Sequence, residues 1–145
     1  TVVAFAARHG FRVFCPLHPS PAVRRSLRGP LSAPNVCPMA PLDYLTFISY
    51  LSEADLVVTD SGGVQEEAAC LGRPFVVARE QTERREAIEA GIGILGGTSP
   101  SRLNRALRGA LDIVPKAGPR LARRVFGDGR AAERICESLE RIWTV

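Results

Sequence analysis

The chain is short of lysine, has few cysteines in no recognisable spacing, and lacks any long apolar run, and each shortage closes off a class of protein. Lys116 is the one lysine among 19 basic residues, a bias read as codon usage rather than function. Four cysteines are present, Cys15, Cys37, Cys70 and Cys136, and no two share a CxxC spacing. A metal site or disulfide framework is therefore not expected, and the thiols read as reduced core residues of a cytoplasmic protein. No apolar stretch approaches the roughly 20 residues that span a bilayer. No basic segment followed by an apolar one marks a secretory signal either. Neither a membrane partner nor a cofactor is expected. The first residue is Thr1 rather than Met, and TVVAFAARHG reads as the tail of a helix already under way. The expectation is part of a longer protein.

What is present fits one globular domain: 145 residues, 46% hydrophobic and 23% charged. The net charge of +4 is unevenly spread, with nine basic and ten acidic residues in 1–100 against ten and five in 101–145. A basic C-terminal third raises nucleic acid as a partner. Against it, Arg102, Arg105 and Arg108 share one helical face opposite Leu103, Leu107 and Leu111, with no aromatic cluster beside them. A solvated helix face is the better reading, and no nucleic-acid partner is expected.

Short apolar runs alternate with segments of helical period, the pattern of an α/β protein with a doubly wound parallel sheet. Strands are expected at Arg12 to Cys15, Asn35 to Pro38, Leu56 to Thr59, Pro74 to Ala78 and Ile92 to Leu95. Helices are expected after Pro21, with Val23 and Leu27 inward, and over Tyr44 to Ala54, with Leu45, Ile48, Leu51 and Ser52 inward. Further helices are expected over Val64 to Leu71 and Glu83 to Gly91, and from Ser99-Pro100, where proline at the first position loses nothing by lacking an N–H. A last helix, Arg130 to Trp143, carries the stripe Ala132, Ile135, Cys136, Leu139, Ile142, Trp143. The loop Gly127-Asp128-Gly129 precedes it.

Ligands of such sheets collect at the carboxyl ends of the strands, and four polar segments fall there. TDSGGVQEEA, Thr59 to Ala68, turns from strand to helix through Ser61-Gly62-Gly63. Backbone N–H groups and the positive end of a helix dipole favour a phosphate at such a turn. Glu66 and Glu67 add acceptors for hydroxyls such as those of a ribose. The plain alternative is an ordinary turn capped by Ser61, with solvated glutamates. His18, in a proline-fixed loop, is either an exposed structural residue or a functional one. Tyr44 and Phe47 offer an aromatic platform or, more commonly, core packing. The run Arg79 to Glu86 is a solvated loop or brings Arg84 or Arg85 to a phosphate.

The segments HPSPAVR, PLDYLTF, TDSGGVQEEAACLGRPFVV, QTERREAIEAG and FGDGRAAERI, in this order and spacing, resemble the C-terminal domain of the non-hydrolysing UDP-N-acetylglucosamine 2-epimerases over nearly the whole chain. The resemblance implies a Rossmann-like domain, one half of a two-domain glycosyltransferase-B arrangement. It implies interconversion of UDP-N-acetylglucosamine and UDP-N-acetylmannosamine by elimination and re-addition of UDP, and a homodimer in the full-length form. Residues 1–145 would then be a single UDP-binding domain, with residues 129–145 as its amphipathic C-terminal helix. By the same resemblance Ser61, Gly62 and Gly63 hold the pyrophosphate, Glu67 the ribose, and Phe47 lies by the uracil. Arg84 matches an arginine of the active-site cleft and His18 a histidine near the sugar-nucleotide pocket. Arg85 stands where the family usually has proline. The carboxylates that act on the C2 proton belong to the family's N-terminal domain, as does an HRxEN-type segment, so this chain alone is expected not to epimerise. Two other readings carry the same turn: the donor domain of a glycosyltransferase with this fold, and a non-catalytic UDP-sugar-binding remnant.

Overall fold

A computed structural model describes residues 1–113 and 119–143; Lys116 lies outside them. The elements are α1 (Val2–Arg8), β1 (Val13–Pro16), α2 (Pro21–Leu31), β2 (Val36–Met39), α3 (Tyr44–Glu53), β3 (Val57–Thr59) and α4 (Gly62–Cys70). They continue with β4 (Phe75–Val77), α5 (Arg85–Glu89), β5 (Gly93–Leu95), α6 (Pro100–Leu111), α7 (Pro119–Phe126) and α8 (Ala131–Trp143).

Every ladder is parallel. β1 pairs with β2, Val13 opposite Val36. β3, β4 and β5 form a second ladder with β4 in the middle, Val57 opposite Phe75 and Phe75 opposite Gly93. All three residues of β4 are fully buried, which is why its sequence, FVV, is continuous rather than alternating. At Gly93 a Cβ would lie 2.3 Å from the Phe75 ring, so only glycine lets β5 close on β4. Two apolar layers sandwich this ladder. Leu51, Val57, Ala68, Phe75, Val77 and Ile92 form one, under α3, α4 and α5. Phe5, Val76, Leu103, Leu107 and Ala110 form the other, under α1 and α6. Helices on both faces of parallel strands make the expected α/β class, although the hydrogen bonding runs in two separate ladders.

Several expectations need correcting. Val23 is exposed and Leu27 only half-buried, and no residue of α2 is buried. Leu45 is 78% exposed, because α3 is covered only from Phe47 onward, where Phe47, Ile48 and Leu51 meet the first core. Ser52 is half-buried. The apolar stripe of α8 exists but buries nothing: Ile135, Leu139, Ile142 and Trp143 are all exposed. Cys15 and Cys37 are half-buried, whereas Cys70 and Cys136 lie on the surface rather than in the core. α7 was not foreseen; Leu121, Val125 and Phe126 pack it onto the first core. No helix among the described residues is long and apolar enough to cross a membrane.

Candidate functional site

The chain leaves β3 at Thr59 and enters α4 at Gly62, two residues earlier than expected, so both glycines lie inside the first helical turn. Ser61 precedes the helix in extended conformation, φ −92° and ψ 131°, but its hydroxyl makes no capping bond. Its own N–H donates instead to Thr59 Oγ1 at 3.0 Å. No side chain caps the start of α4, and the N–H groups of a first turn have no helical acceptor. A Cβ at Gly63 would meet nothing within 4 Å. At Gly62 it would lie 2.6 Å from Glu83 Oε1 and 3.9 Å from Arg84 Cζ. The loop after β4 thus closes over Gly62 and leaves Gly63 open.

That loop is pinned from below. Gln65 is fully buried in α4, and its Oε1 accepts a 2.8 Å hydrogen bond from Thr82 Oγ1. Gln65 Nε2 donates to the Ser61 carbonyl at 3.2 Å, and Arg84 N donates to Thr82 Oγ1 at 3.1 Å. One chain of bonds therefore fixes Ser61, Thr82 and Arg84 relative to one another. Sequence reasoning missed Gln65 and Thr82. The available signal was the spacing of Gln65 with Ala68 and Ala69, the i, i+3, i+4 stripe of a buried helix face.

Arg84 Nε donates to Glu66 in a close ion pair, both side chains part-exposed. Glu80 ties the same loop to the end of β5. It accepts from Thr98 N at 2.8 Å, from Thr98 Oγ1 at 2.6 Å and from an Arg102 guanidinium nitrogen at 2.5 Å. The Thr98 hydroxyl, then the Thr98 N–H and the Arg102 bond, hold the Glu80 carboxyl down at about 2. Gly97 makes room for this arrangement. Its φ is +68°, and a Cβ there would lie 2.8 Å from Arg102 Cζ.

Ser61, Gly62, Gly63 and Arg84 therefore share one patch at the carboxyl ends of β3 and β4, with Glu67 half-buried on α4. His18 and Phe47 have other neighbours. Phe47 packs against the first core, the commoner fate of such a ring. His18 is exposed after β1; Ser20 N donates to its Nδ1 at 3.1 Å, and Arg24 Nε donates to its carbonyl at 3.3 Å. No hydrogen bond or ion pair among the described residues joins either to the Ser61–Arg84 patch. Tyr44 is 63% exposed. Arg85 takes the first position of α5 and, with Glu80, Thr82, Ile88 and Leu95, lines a hollow of about 340 Å³ that neither glycine borders.

Parallel strands with helices on both faces, and an uncapped glycine turn opening at a strand's carboxyl end, define a Rossmann-like domain. The sequence profile described as UDP-N-acetylglucosamine 2-epimerase matches residues 1–140. The chain belongs to the UDP-N-acetylglucosamine 2-epimerase family, a family of isomerases. It is 38% identical over 131 residues to the UDP-N-acetylglucosamine 2-epimerase of Escherichia coli K12, matching 89% of this chain and 35% of that protein. Among solved structures, it resembles the UDP-GlcNAc 2-epimerase of Neisseria meningitidis, solved bound to UDP-GlcNAc. The identity is 33% and the TM-score 0.76, over 97% of this chain and 39% of that one. The Methanocaldococcus jannaschii enzyme, solved with UDP-GlcNAc and UDP, gives a TM-score of 0.80 at 29% identity, over 97% of this chain and 38% of the other. The chain thus spans about a third of the length of the curated relatives it matches.

Proposed function

We propose that residues 1–145 are the UDP-binding, C-terminal domain of a UDP-N-acetylglucosamine 2-epimerase, half of a glycosyltransferase-B arrangement in a cytoplasmic, homodimeric enzyme. The observation that carries this is the uncapped, open first turn of α4, where Gly63 leaves main-chain donors accessible and Arg84 is fixed alongside. Ser61, Gly62 and Gly63 hold the pyrophosphate. Its negative charge is favoured by the helix N-terminus and by a guanidinium that Glu66 already orients. Glu67 accepts hydrogen bonds from the ribose hydroxyls, Phe47 lies by the uracil, and His18 sits toward the sugar. The relatives solved with UDP-GlcNAc and with UDP support this assignment of ligand.

In the reaction, UDP leaves as the C1–O bond breaks and a proton leaves C2; UDP then adds back to the 2-acetamidoglucal, and C2 is reprotonated on the opposite face. The residues of this chain serve the leaving group. Donors already aimed at the diphosphate stabilise the charge that collects on it, which in comparable sites lowers barriers by about 3–4 kcal/mol per donor. The proton-transfer carboxylates lie in the N-terminal domain.

Calorimetric titration with UDP, UDP-N-acetylglucosamine and ADP tests the site. UDP binding is expected, lost on Gly63→Asp, which sets a carboxylate at the anion position, and on Glu67→Ala. Selective ADP binding sinks the assignment.

A further inference from the structure

In an α-helix each Cα–Cβ bond tilts toward the N-terminus. Gly62 is the first residue of α4, so the place its Cβ would take lies on the rim of the helix end, beside the free N–H groups of the first turn. That place is not empty. Glu83 Oε1 lies 2.6 Å from it and Arg84 Cζ 3.9 Å. A carboxylate oxygen thus stands where an anion is favoured, against the positive end of a helix and near a guanidinium. Gly63, next along, has nothing within 4 Å of its own Cβ position. The rim is half filled and half open.

The way Glu83 is held suits a removable occupant. Among the described residues no hydrogen bond joins its carboxylate to the turn. Its ion-pair partner is Arg79, 3.6 Å away, with the two side chains 53% and 45% exposed. An exposed pair of this kind holds weakly. The backbone around Glu83 is fixed by contrast. Thr82 Oγ1 donates to buried Gln65, and Arg84 N donates to Thr82 Oγ1. Clearing the rim therefore takes the rotation of one side chain and leaves the loop in place. Arg84 is engaged as well, through Nε, by Glu66. On the Gly62 side, then, the helix end and the guanidinium that an incoming phosphate would meet both have a carboxylate beside them already.

We propose that Glu83 sets the affinity of this turn: its carboxylate is an internal anion on the Gly62 side of the rim, and a diphosphate binds fully only by displacing it toward Arg79. The proposal deepens the reading of the turn as a diphosphate site and rests on it. The open Gly63 side receives one phosphate; the second, bonded to the first, meets the carboxylate. Left in place, Glu83 repels the ligand at close range. Displaced, it gives up its favourable position at the helix end. Either way the ligand binds less tightly than it would to a neutral side chain. In the free domain the same carboxylate compensates a helix end that no side chain caps.

Calorimetric titration of residues 1–145 with inorganic pyrophosphate and with UDP, at one ionic strength, tests this on the parent, Glu83→Gln and Glu86→Gln. Glu86 is an exposed acid three positions on and serves as the control for net charge. Glu83→Gln is expected to bind both ligands about three- to tenfold more tightly, and Glu86→Gln to stay within about twofold of the parent. Glu83→Asp, whose shorter stem draws the carboxylate back from the rim, should fall between parent and Glu83→Gln. Without ligand, the Gly62 amide resonance is expected to move in Glu83→Gln and not in Glu86→Gln, while the Val57 and Val76 amides stay in place and report an intact fold. Unchanged or weaker binding by Glu83→Gln would overturn the proposal, as would an equal gain in Glu86→Gln. Tighter pyrophosphate binding with no UDP binding in any variant would uphold Glu83 as the occupant and sink the nucleotide reading. UDP bound equally by the parent and Glu83→Gln would do the reverse, and binding of neither ligand by any variant would overturn both.

Discussion

Gln65 is a neutral side chain on which the geometry of a charged site depends. It is fully buried, and both ends of its amide are used, one by Thr82 and one by the Ser61 carbonyl. Replacing it with leucine keeps the bulk but strands the Thr82 hydroxyl and removes the side-chain bond to the Ser61 carbonyl. A buried polar group left without its partner costs about 1–3 kcal/mol. Gln65→Leu is accordingly expected to lower the urea midpoint of unfolding by an amount in that range. It should also loosen Arg84, because the Thr82 hydroxyl that holds Arg84 N is no longer fixed. Gln65→Glu keeps the acceptor for Thr82 while placing a charge in the core, and is expected to be no better. The glycine turn was legible in the sequence because its chemistry is local. The Gln65–Thr82 bond and the Glu66–Arg84 pair were not, since each joins residues 17 or 18 positions apart that only the packing of the β4 loop on α4 brings together.

At the scale of elements, Glu80 couples the loop after β4 to the start of α6, and the coupling is pH-dependent. Its carboxyl ordinarily titrates near 4.5 and is held at about 2 in the fold, first by the Thr98 hydroxyl, then by the Thr98 N–H and Arg102. A pKa depressed by folding means the stabilisation is complete above the unfolded value, near pH 4.5, and is lost as pH falls through that window toward 2. Glu80→Gln is therefore expected to be less stable than the parent at about pH 6, the gap narrowing below about pH 4.5 and closing near pH 2. Thermal melts across that range check it; a gap independent of pH would refute the coupling. Asp128 follows the same rule at about 2, held down by Arg134 and by Arg130 N–H, and ties the loop before α8 to that helix. Elements themselves were largely readable. β4 announced its burial by a continuous apolar run, and the proline and serine at the start of α6 marked its N-terminus, where Ser99 does accept from Arg102 N. The inward face of α2 and the first turn of α3 were misjudged because periodicity tells which face a helix would bury, not whether anything is there to cover it.

In the molecule as a whole, folding and function depend on different parts of the chain. α8 buries none of its residues, and the ion pairs Arg130–Glu133 and Arg134–Asp128 lie within the helix and the loop before it. Removing residues 131–145 is therefore expected to leave the melting temperature within a few degrees, since a change of about 1 kcal/mol moves a domain of this size by only about 2–4 °C. A larger fall would show that the stripe Ile135, Leu139, Ile142 and Trp143 is covered after all. Catalysis has a different dependence. On the proposed assignment Gly63 and its turn serve the diphosphate together with Arg84, while the carboxylates beside them are already engaged, Glu66 with Arg84 and Glu83 with Arg79, and proton transfer at C2 falls to the N-terminal domain. Incubating residues 1–145 with UDP-N-acetylglucosamine in deuterated water is thus expected to give neither UDP-N-acetylmannosamine nor deuterium at C2, while UDP still binds. Deuterium at C2 without net epimerisation would place a base within this chain and overturn the division of labour. Exchange appearing only once an N-terminal domain of the family is supplied would assign proton transfer to that domain and leaving-group stabilisation to this one.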